Sequence, residues 1–421
     1  MIKKIIPKSS YARNVLTLMT GTGLAQALPI AISPILTRLY TPEDFGVFAL
    51  YVAIVSILAV VVTGRYELAI MLPKEDKDAF NILVLSVSLS LVISLALLIL
   101  IVFKGDDIAY LLKSPKILPW LYWIPVSTVL TGIYQSLNYW CNRKSHYSRL
   151  AISRVFQSGG GAGGQLGMGL KGASTEGLIG GQILGVLLST TILAKLIIKE
   201  ERKLLKKTKK KDVLSLAIRY KNFPKFLVIA HGFNTVSSQI ALIVLNSFFN
   251  ATVAGLYMLT QRVLGAPITL VAKALGDVFR QEASFSYTRN GECLEVYKST
   301  LKKLVFIAIP SFLLFYFIAP ELFSFVFGKE WREAGEYAQI LTPMFFLRFI
   351  TSPLSTMFMI AEKQKLDLVW QIFLLILAST ALIVGYILNS VTVALYLYTS
   401  AYVILFLINF IMTYKMAKGT I

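Results

Sequence analysis

The chain has 421 residues, of which 56% are hydrophobic and only 15% are charged. Soluble domains carry about 45–50% apolar and about 25% charged residues, so this composition excludes an ordinary soluble protein. A net charge of +20 would suit nucleic acid, but no nucleic-acid-binding motif accompanies it. Basic loops that face anionic lipid headgroups explain the charge better.

The apolar residues fall in blocks of about 20, the length of helix that crosses a hydrocarbon core roughly 30 Å thick. Backbone groups in lipid must be satisfied within their own segment, so blocks of this length predict helices. We therefore predict an all-α integral membrane protein without a soluble catalytic domain. Its twelve predicted spans are 14–37, 44–64, 80–103, 117–140, 150–170, 177–198, 223–248, 252–276, 303–327, 336–360, 366–388 and 392–414.

The basic residues alternate in number from one predicted loop to the next, and the positive-inside rule then predicts that both termini are cytoplasmic. The N-terminal basic cluster comprises Lys3, Lys4, Lys8 and Arg13. The first span is too long for a signal peptide and lacks a small-residue cleavage site, so we expect it to stay as the first helix. The predicted outer side holds only Arg38, Lys104, Lys113, Lys116, Lys171, Lys329 and Arg332.

The most basic segment, residues 195–225, divides the twelve predicted spans six and six. Two six-helix halves are typical of transporters built from internal repeats. Charge blocks are usually solvated linkers, although Leu204 and Leu205 also allow an amphipathic helix on the inner leaflet. The predicted parts are an N-lobe, a basic cytoplasmic linker and a C-lobe, at 1–198, 199–222 and 223–421.

Two arginines lie near the middle of predicted spans, Arg262 in the eighth and Arg348 in the tenth. An arginine in hydrocarbon costs about 2.5–3.5 kcal/mol on insertion scales, which makes both residues functional candidates. None of the 22 acidic residues falls as deep. The asymmetry favours a cavity that receives a phosphate-type anion, whose oxygens suit a planar guanidinium. Bonding to carbonyls freed by the neighbouring prolines is the structural alternative.

Other charged residues occur towards the ends of spans. Lys273 follows Arg262 by eleven residues, close to three turns, so both should share one helix face and Lys273 joins the cationic candidates. Asp277 comes four residues after Lys273 and is expected to pair with it. Arg65 and Glu67 end the second span in a similar way. Asp277, Arg65 and Glu67 are candidate gate residues, or charged helix ends that snorkel to the interface.

A few polar side chains fall inside the predicted spans. Asn234 and Gln261 are the candidates for a polar cavity wall, with Gln239 and Gln371 as further examples. Hydrogen bonding between helices is an equally good explanation for any one of them.

The glycine-rich run at 158–169 resembles a phosphate loop only superficially, because no strand precedes it and no Gly-Lys-Ser/Thr follows. Its pairs Gly159/Gly163 and Gly160/Gly164 favour close packing between helices or a flexible span. The two cysteines and two histidines are scattered and predict neither a disulfide nor a metal site.

Six short segments carry a resemblance to a known family. They are residues 39–46 (LYTPEDFG), 64–73 (GRYELAIMLP), 142–147 (NRKSHY) with 153–157 (SRVFQ), and 262–267 (RVLGAP) with 278–283 (VFRQEA). Together they resemble the bacterial O-antigen and polysaccharide flippases of the multidrug/oligosaccharidyl-lipid/polysaccharide exporter superfamily. Arg262 falls within a matching segment, whereas Arg348 is a candidate only because of its depth in a predicted span.

The resemblance implies a MATE-like, V-shaped fold of two six-helix lobes around a central cavity. It implies carriage of an undecaprenyl-diphosphate-linked oligosaccharide across the bacterial cytoplasmic membrane by alternating access, without enzyme activity or a cofactor. Coupling to H⁺ or Na⁺ stays open. The implied partners are the lipid-linked glycan, membrane lipids, a glycan polymerase and a chain-length regulator, and not nucleic acid.

Two other functions stay open at this point. A drug or organic-cation antiporter of the same fold would capture its substrate with Asp or Glu, which the first and seventh predicted spans lack. A membrane glycan polymerase or ligase would need a sizeable outer loop, and the predicted outer loops hold about a dozen residues at most.

Overall fold

The computed structural model describes residues 10–420, with side chains described from Thr20 onward. Lys3, Lys4 and Lys8 of the predicted basic cluster lie outside the described residues, and Arg13 is described by its backbone alone. The described part of the chain is helical and contains no strand.

Fourteen helices of ten residues or more occur in residues 10–420. They are α1 (Ser10–Leu39), α2 (Pro42–Val61), α3 (Asp76–Leu111), α4 (Ile124–Arg143), α5 (Tyr147–Gly169), α6 (Thr175–Glu200), α7 (Lys210–Arg219), α8 (Val228–Val244), α9 (Ala251–Pro267), α10 (Lys273–Asn290), α11 (Leu294–Phe327), α12 (Arg332–Leu354), α13 (Gln364–Ile387) and α14 (Val391–Ala417). Shorter α, 3₁₀ and π segments join them.

Each of the twelve predicted spans falls on a helix or on helical segments separated by no more than two turn residues. Within the described residues, 8 helices are long and apolar enough to cross a membrane, or up to 9 if the bent pair Pro115–Leu121 and Ile124–Arg143 is one span. The chain is therefore an all-α, multi-pass membrane protein. The number of twelve spans stays a prediction, because α1, α5 and α9 are not among those helices.

The helices divide into two compact units. Unit 1 takes in the described residues up to Tyr40 together with Val47–Gln239, and unit 2 takes in Thr41–Gly46 together with the described residues from Ile240 onward. The predicted lobe boundaries at 198/199 and 222/223 stay predictions.

The start of α2 belongs to unit 2, where two glycines bring it against α9. Thr41 and Asp44 form a reciprocal cap, in which the Asp44 carboxylate accepts from the Thr41 N–H at 3.0 Å and the Thr41 hydroxyl accepts from the Asp44 N–H at 3.2 Å. Gly46 then lies against α9 so closely that a Cβ atom would stand 1.7 Å from the carbonyl oxygen of Ala251. A Cβ atom on Gly255 would likewise stand 1.8 Å from the carbonyl oxygen of Pro42. Only glycine permits this contact between backbones.

Within unit 1, glycines bring α5 and α6 together. A Cβ atom on Gly164 would lie 2.9 Å from the Gly181 Cα, and one on Gly160 would lie 2.5 Å from Leu188. The predicted close packing through Gly160/Gly164 is confirmed. A Cβ atom on Gly163 would meet nothing within 4 Å, and one on Gly159 would meet only Leu28 at 3.9 Å, so the pair Gly159/Gly163 does not mediate a close contact.

The basic segment after α6 contains an amphipathic helix, α7, that packs on unit 1. Leu216 is 5% exposed and joins the apolar core of that unit, and the Tyr66 hydroxyl donates to the Ala217 carbonyl at 2.9 Å. The Lys77 ammonium lies 2.9 Å from the Asp212 carboxylate, and this hydrogen bond holds the pKa of Asp212 below its ordinary value. The segment is therefore a docked helix at this point rather than a fully solvated linker.

Candidate functional site

Arg262 lies in the second half of α9 and is partly buried. Its guanidinium carbon is 5.9 Å from the centre of the Phe45 ring. Phe45 is 1% exposed and packs edge-on against Trp331, with 5.0 Å between ring centres. An aromatic face attracts a cation without neutralising it, so the arginine keeps its charge while its position is fixed.

Arg348 lies in α12 and is exposed. Its guanidinium carbon is 5.8 Å from the ring of Phe345, one turn earlier on the same helix. In the part of the chain that the structure describes, Arg348 forms no ion pair with a carboxylate. Both predicted cations therefore belong to unit 2, each beside an aromatic ring.

Gln261 precedes Arg262 and takes part in a chain of side-chain hydrogen bonds. Its Nε2 donates to the Tyr257 hydroxyl at 2.7 Å, and that hydroxyl donates to Tyr398 of α14 at 3.2 Å. Tyr257 and Tyr398 are buried. The chain joins α9 to α14 and orients the amide of Gln261. Sequence reasoning missed both tyrosines, because a tyrosine inside an apolar block carries no signal of its own.

Lys273 and Asp277 lie on α10 and line a small cavity of about 230 Å³ with Ser352 and Pro353. The expected pair between them is wrong, because the Asp277 carboxylate lies 3.2 Å from the Arg280 guanidinium instead. The expectation of a face shared with Arg262 also needs correction. A π-helical segment, Ile268–Ala272, separates α9 from α10, and the extra residue of a π turn rotates the next helix by about 100°.

Asn234 lies on α8 and is exposed. It belongs to unit 1, whereas Gln261 and Arg262 belong to unit 2. Its predicted role in one cavity wall with Gln261 stays a prediction.

Arg65 and Glu67 form an ion pair at the turn after α2, with 3.3 Å between Nη1 and Oε1. The Glu67 side chain is fully buried, and its second oxygen accepts from the Thr63 hydroxyl at 2.5 Å. Gly64 and Arg65 both have φ of 58°, a left-handed conformation that is rare for an arginine. The two gate candidates of this turn are thus neighbours in space, and the arginine is held in a strained backbone.

Arg65 lines a cavity of about 350 Å³ that lies wholly within unit 1. The other polar lining residues are Tyr51, Ser56, Ser127, Thr131, Gln135, Gln157, Gln182 and Thr235. Sequence reasoning missed the three glutamines. The available signal was the occurrence of glutamine in three successive apolar blocks, the fourth, fifth and sixth.

Comparison with known proteins gives one family and a set of related structures. The model of a family described as "Polysaccharide biosynthesis protein" matches residues 35–336, which include Arg65 and Arg262 but not Arg348. No curated protein matches.

Solved structures share the fold over almost the whole chain. An inward-facing multidrug resistance MATE family transporter is 15% identical, with 95% of this chain and 96% of that chain covered and a TM-score of 0.68. The lipid II flippase MurJ in an inward closed conformation is 16% identical, with 93% of this chain and 90% of that chain covered and a TM-score of 0.68. The MATE multidrug transporter DinF-BH is 13% identical, with 96% of this chain and 95% of that chain covered and a TM-score of 0.65. The predicted MATE-like fold is confirmed.

Proposed function

We propose, because this chain belongs to the polysaccharide biosynthesis protein family, that it is a flippase for a glycan carried on undecaprenyl diphosphate. It moves this lipid from the inner to the outer leaflet of the bacterial cytoplasmic membrane by alternating access, with both of its own termini in the cytoplasm. No bond is made or broken, so the protein is not an enzyme. A glycan polymerase and a chain-length regulator act on the delivered glycan.

The observation that carries this proposal is the state of Arg262. Its guanidinium lies against the buried ring of Phe45, and an aromatic ring attracts a cation without neutralising it. A diphosphate offers oxygens in the spacing that a guanidinium binds with two parallel hydrogen bonds. Arg348 supplies a second cation in the same unit, and the amide of Gln261 supplies a neutral donor beside Arg262.

The shared fold with multidrug transporters supports one competing function, the export of organic cations. A carboxylate in the site would favour capture of an organic cation. Arg262 and Arg348 give the site the opposite charge. Uptake of tetraphenylphosphonium into vesicles containing the protein would favour the drug antiporter over the flippase.

The test is translocation of a fluorescent, lipid-linked glycan in reconstituted vesicles. We expect the double variant Arg262→Ala/Arg348→Ala to lose translocation while inserting normally, because the diphosphate loses both cations. Arg289→Ala is the matched control, since Arg289 is an exposed arginine of α10. A double variant that translocates the lipid at the wild-type rate would overturn the proposal.

A further inference from the structure

The unit 1 cavity has a wall of amides and hydroxyls rather than of apolar side chains alone. Helices α2, α4, α5, α6 and α8 and the turn at Arg65 all contribute to it. Its volume of about 350 Å³ lies at the lower end of the range for ligand pockets, about 300–1,000 Å³. It therefore has room for a small part of a glycan, not for a whole repeat unit.

Three hydroxyls of this wall already donate their protons to the backbone. Ser56 donates to the Val52 carbonyl at 2.7 Å, and Thr131 donates to the Ser127 carbonyl at 2.7 Å. Thr235 does the same to His231 at 2.9 Å. Each oxygen retains lone pairs, so these hydroxyls act as acceptors towards a ligand.

Two buried atoms of the wall have no hydrogen-bond partner among the described residues. One is a donor, Nε of Arg65, and the other is an acceptor, Oε1 of Gln135. Buried polar atoms in native proteins are nearly always paired, so each of these two points to a ligand group. A ligand that satisfies both must donate and accept.

The charge of the wall excludes strongly ionic ligands. Among the described residues, Arg65 is the one charged side chain that lines the cavity, and Glu67 lies 3.3 Å behind it as a buried counter-ion. The pair is neutral as a unit, so it attracts a phosphate only weakly. An organic cation meets no carboxylate in the described part of this wall.

We propose that the unit 1 cavity is a sugar subsite, which binds a neutral, polyhydroxylated ring of the carried glycan. Sugar hydroxyls both donate and accept, as Arg65 Nε, Gln135 Oε1 and the three backbone-bonded hydroxyls require. The glutamine amides at 157 and 182 add further donors and acceptors. The strained backbone at Arg65 fits a residue fixed for binding, because such conformations concentrate at ligand sites. The subsite rests on the proposed function for the identity of its glycan.

The first experiment measures sugar binding without any transport. Purified protein in lipid nanodiscs is titrated with methyl glycosides of common hexoses and N-acetylhexosamines, and bound sugar is detected by saturation-transfer NMR. Inorganic phosphate and tetramethylammonium are the competing probes, and neither should displace the glycoside. We expect Gln135→Leu to weaken binding about tenfold, since a buried hydrogen bond is lost.

A matched pair of threonines provides the control. Thr131 and Thr191 both donate to the carbonyl four residues earlier at 2.7 Å, but only Thr131 lines the cavity. Thr131→Val should weaken glycoside binding several-fold, and Thr191→Val should leave it unchanged. Equal binding by both variants and the wild type, or no saturation transfer to any glycoside, would overturn the subsite.

The second experiment separates the subsite from the flippase function. Binding of undecaprenyl diphosphate is compared with binding of the same lipid that carries the host's repeat unit. Gln135→Leu should weaken only the glycosylated lipid, and Arg262→Ala should weaken both. If the wild type binds glycosides but neither lipid, the proposed function fails and the sugar site stands. If Gln135→Leu weakens both lipids equally, the subsite fails and the function stands.

Discussion

Arg65 in unit 1 and Arg262 in unit 2 are two arginines set among apolar helices, and they are stabilised in opposite ways. Arg65 has a carboxylate partner that is itself fully buried, whereas Arg262 rests on an aromatic ring. The first arrangement pairs the guanidinium with a counter-ion, whereas an aromatic ring attracts a cation without being one. Depth in an apolar stretch therefore does not by itself define the environment of an arginine.

The largest effect should come from breaking the neutral pair. Arg65→Met leaves the Glu67 carboxylate buried with only the Thr63 hydroxyl, and the expected loss in the free energy of unfolding is about 3–5 kcal/mol. Arg65→Met/Glu67→Gln should recover most of it. Denaturant unfolding in detergent measures both, and a single variant as stable as the double would show that the pair is not coupled.

The next effect should appear in binding rather than in stability. Arg262→Ala should lower the affinity for undecaprenyl diphosphate about 10–100-fold, since hydrogen bonds to charged groups are worth about 1.5–3 kcal/mol. The affinity of Arg262→Lys should lie between those of the wild type and Arg262→Ala, because lysine keeps the charge but lacks the planar guanidinium that forms two parallel hydrogen bonds. Stability should change far less than in Arg65→Met. A large loss of stability with unchanged affinity would reverse the contrast between the two arginines.

A smaller effect should follow when the support of Arg262 is displaced. Gly46→Ala places a Cβ atom 1.7 Å from the Ala251 carbonyl oxygen in the position next to Phe45, and we expect a loss of about 1–3 kcal/mol from overpacking. Gly163→Ala has nothing within 4 Å and should stabilise its helix by about 0.5–1 kcal/mol. Thermal unfolding compares the two, and equal destabilisation would contradict the contact.

The smallest effect concerns the tyrosine chain beside Gln261. Tyr257→Phe removes a hydroxyl that joins Gln261 to Tyr398, at an expected cost of about 1 kcal/mol in unfolding free energy. Denaturant unfolding in detergent measures this cost. A variant as stable as the wild type would show that this chain does not help to hold unit 2 together.

Elements with a local cause were predictable from the sequence. Blocks of apolar residues gave helices at all twelve predicted positions, because a hydrophobic segment in lipid has no other way to satisfy its backbone. Arg262 and Arg348 were found by the same principle, since a cation within such a block is costly. The glycines at 160 and 164 indicated a close contact for an equally local reason.

The rest depends on contacts between distant residues. Phe45 lies under Arg262 because Gly46 and Gly255 bring α2 to α9, and no local pattern reports that meeting. The glutamines at 135, 157 and 182 converge from three helices in the same way. Asp277 had two basic neighbours within helical reach, Lys273 and Arg280, and the sequence pattern does not choose between them.

The docking of α7 has a mechanical consequence for the turn beside it. Tyr66, whose hydroxyl is bonded to α7 at 2.9 Å, immediately follows Arg65 in the chain. Because Leu216 seats the same helix in the core, α7 cannot slide past this turn on its own. If α7 moves, either its hydrogen bond to Tyr66 breaks, or the turn that contains Arg65 moves together with the helix.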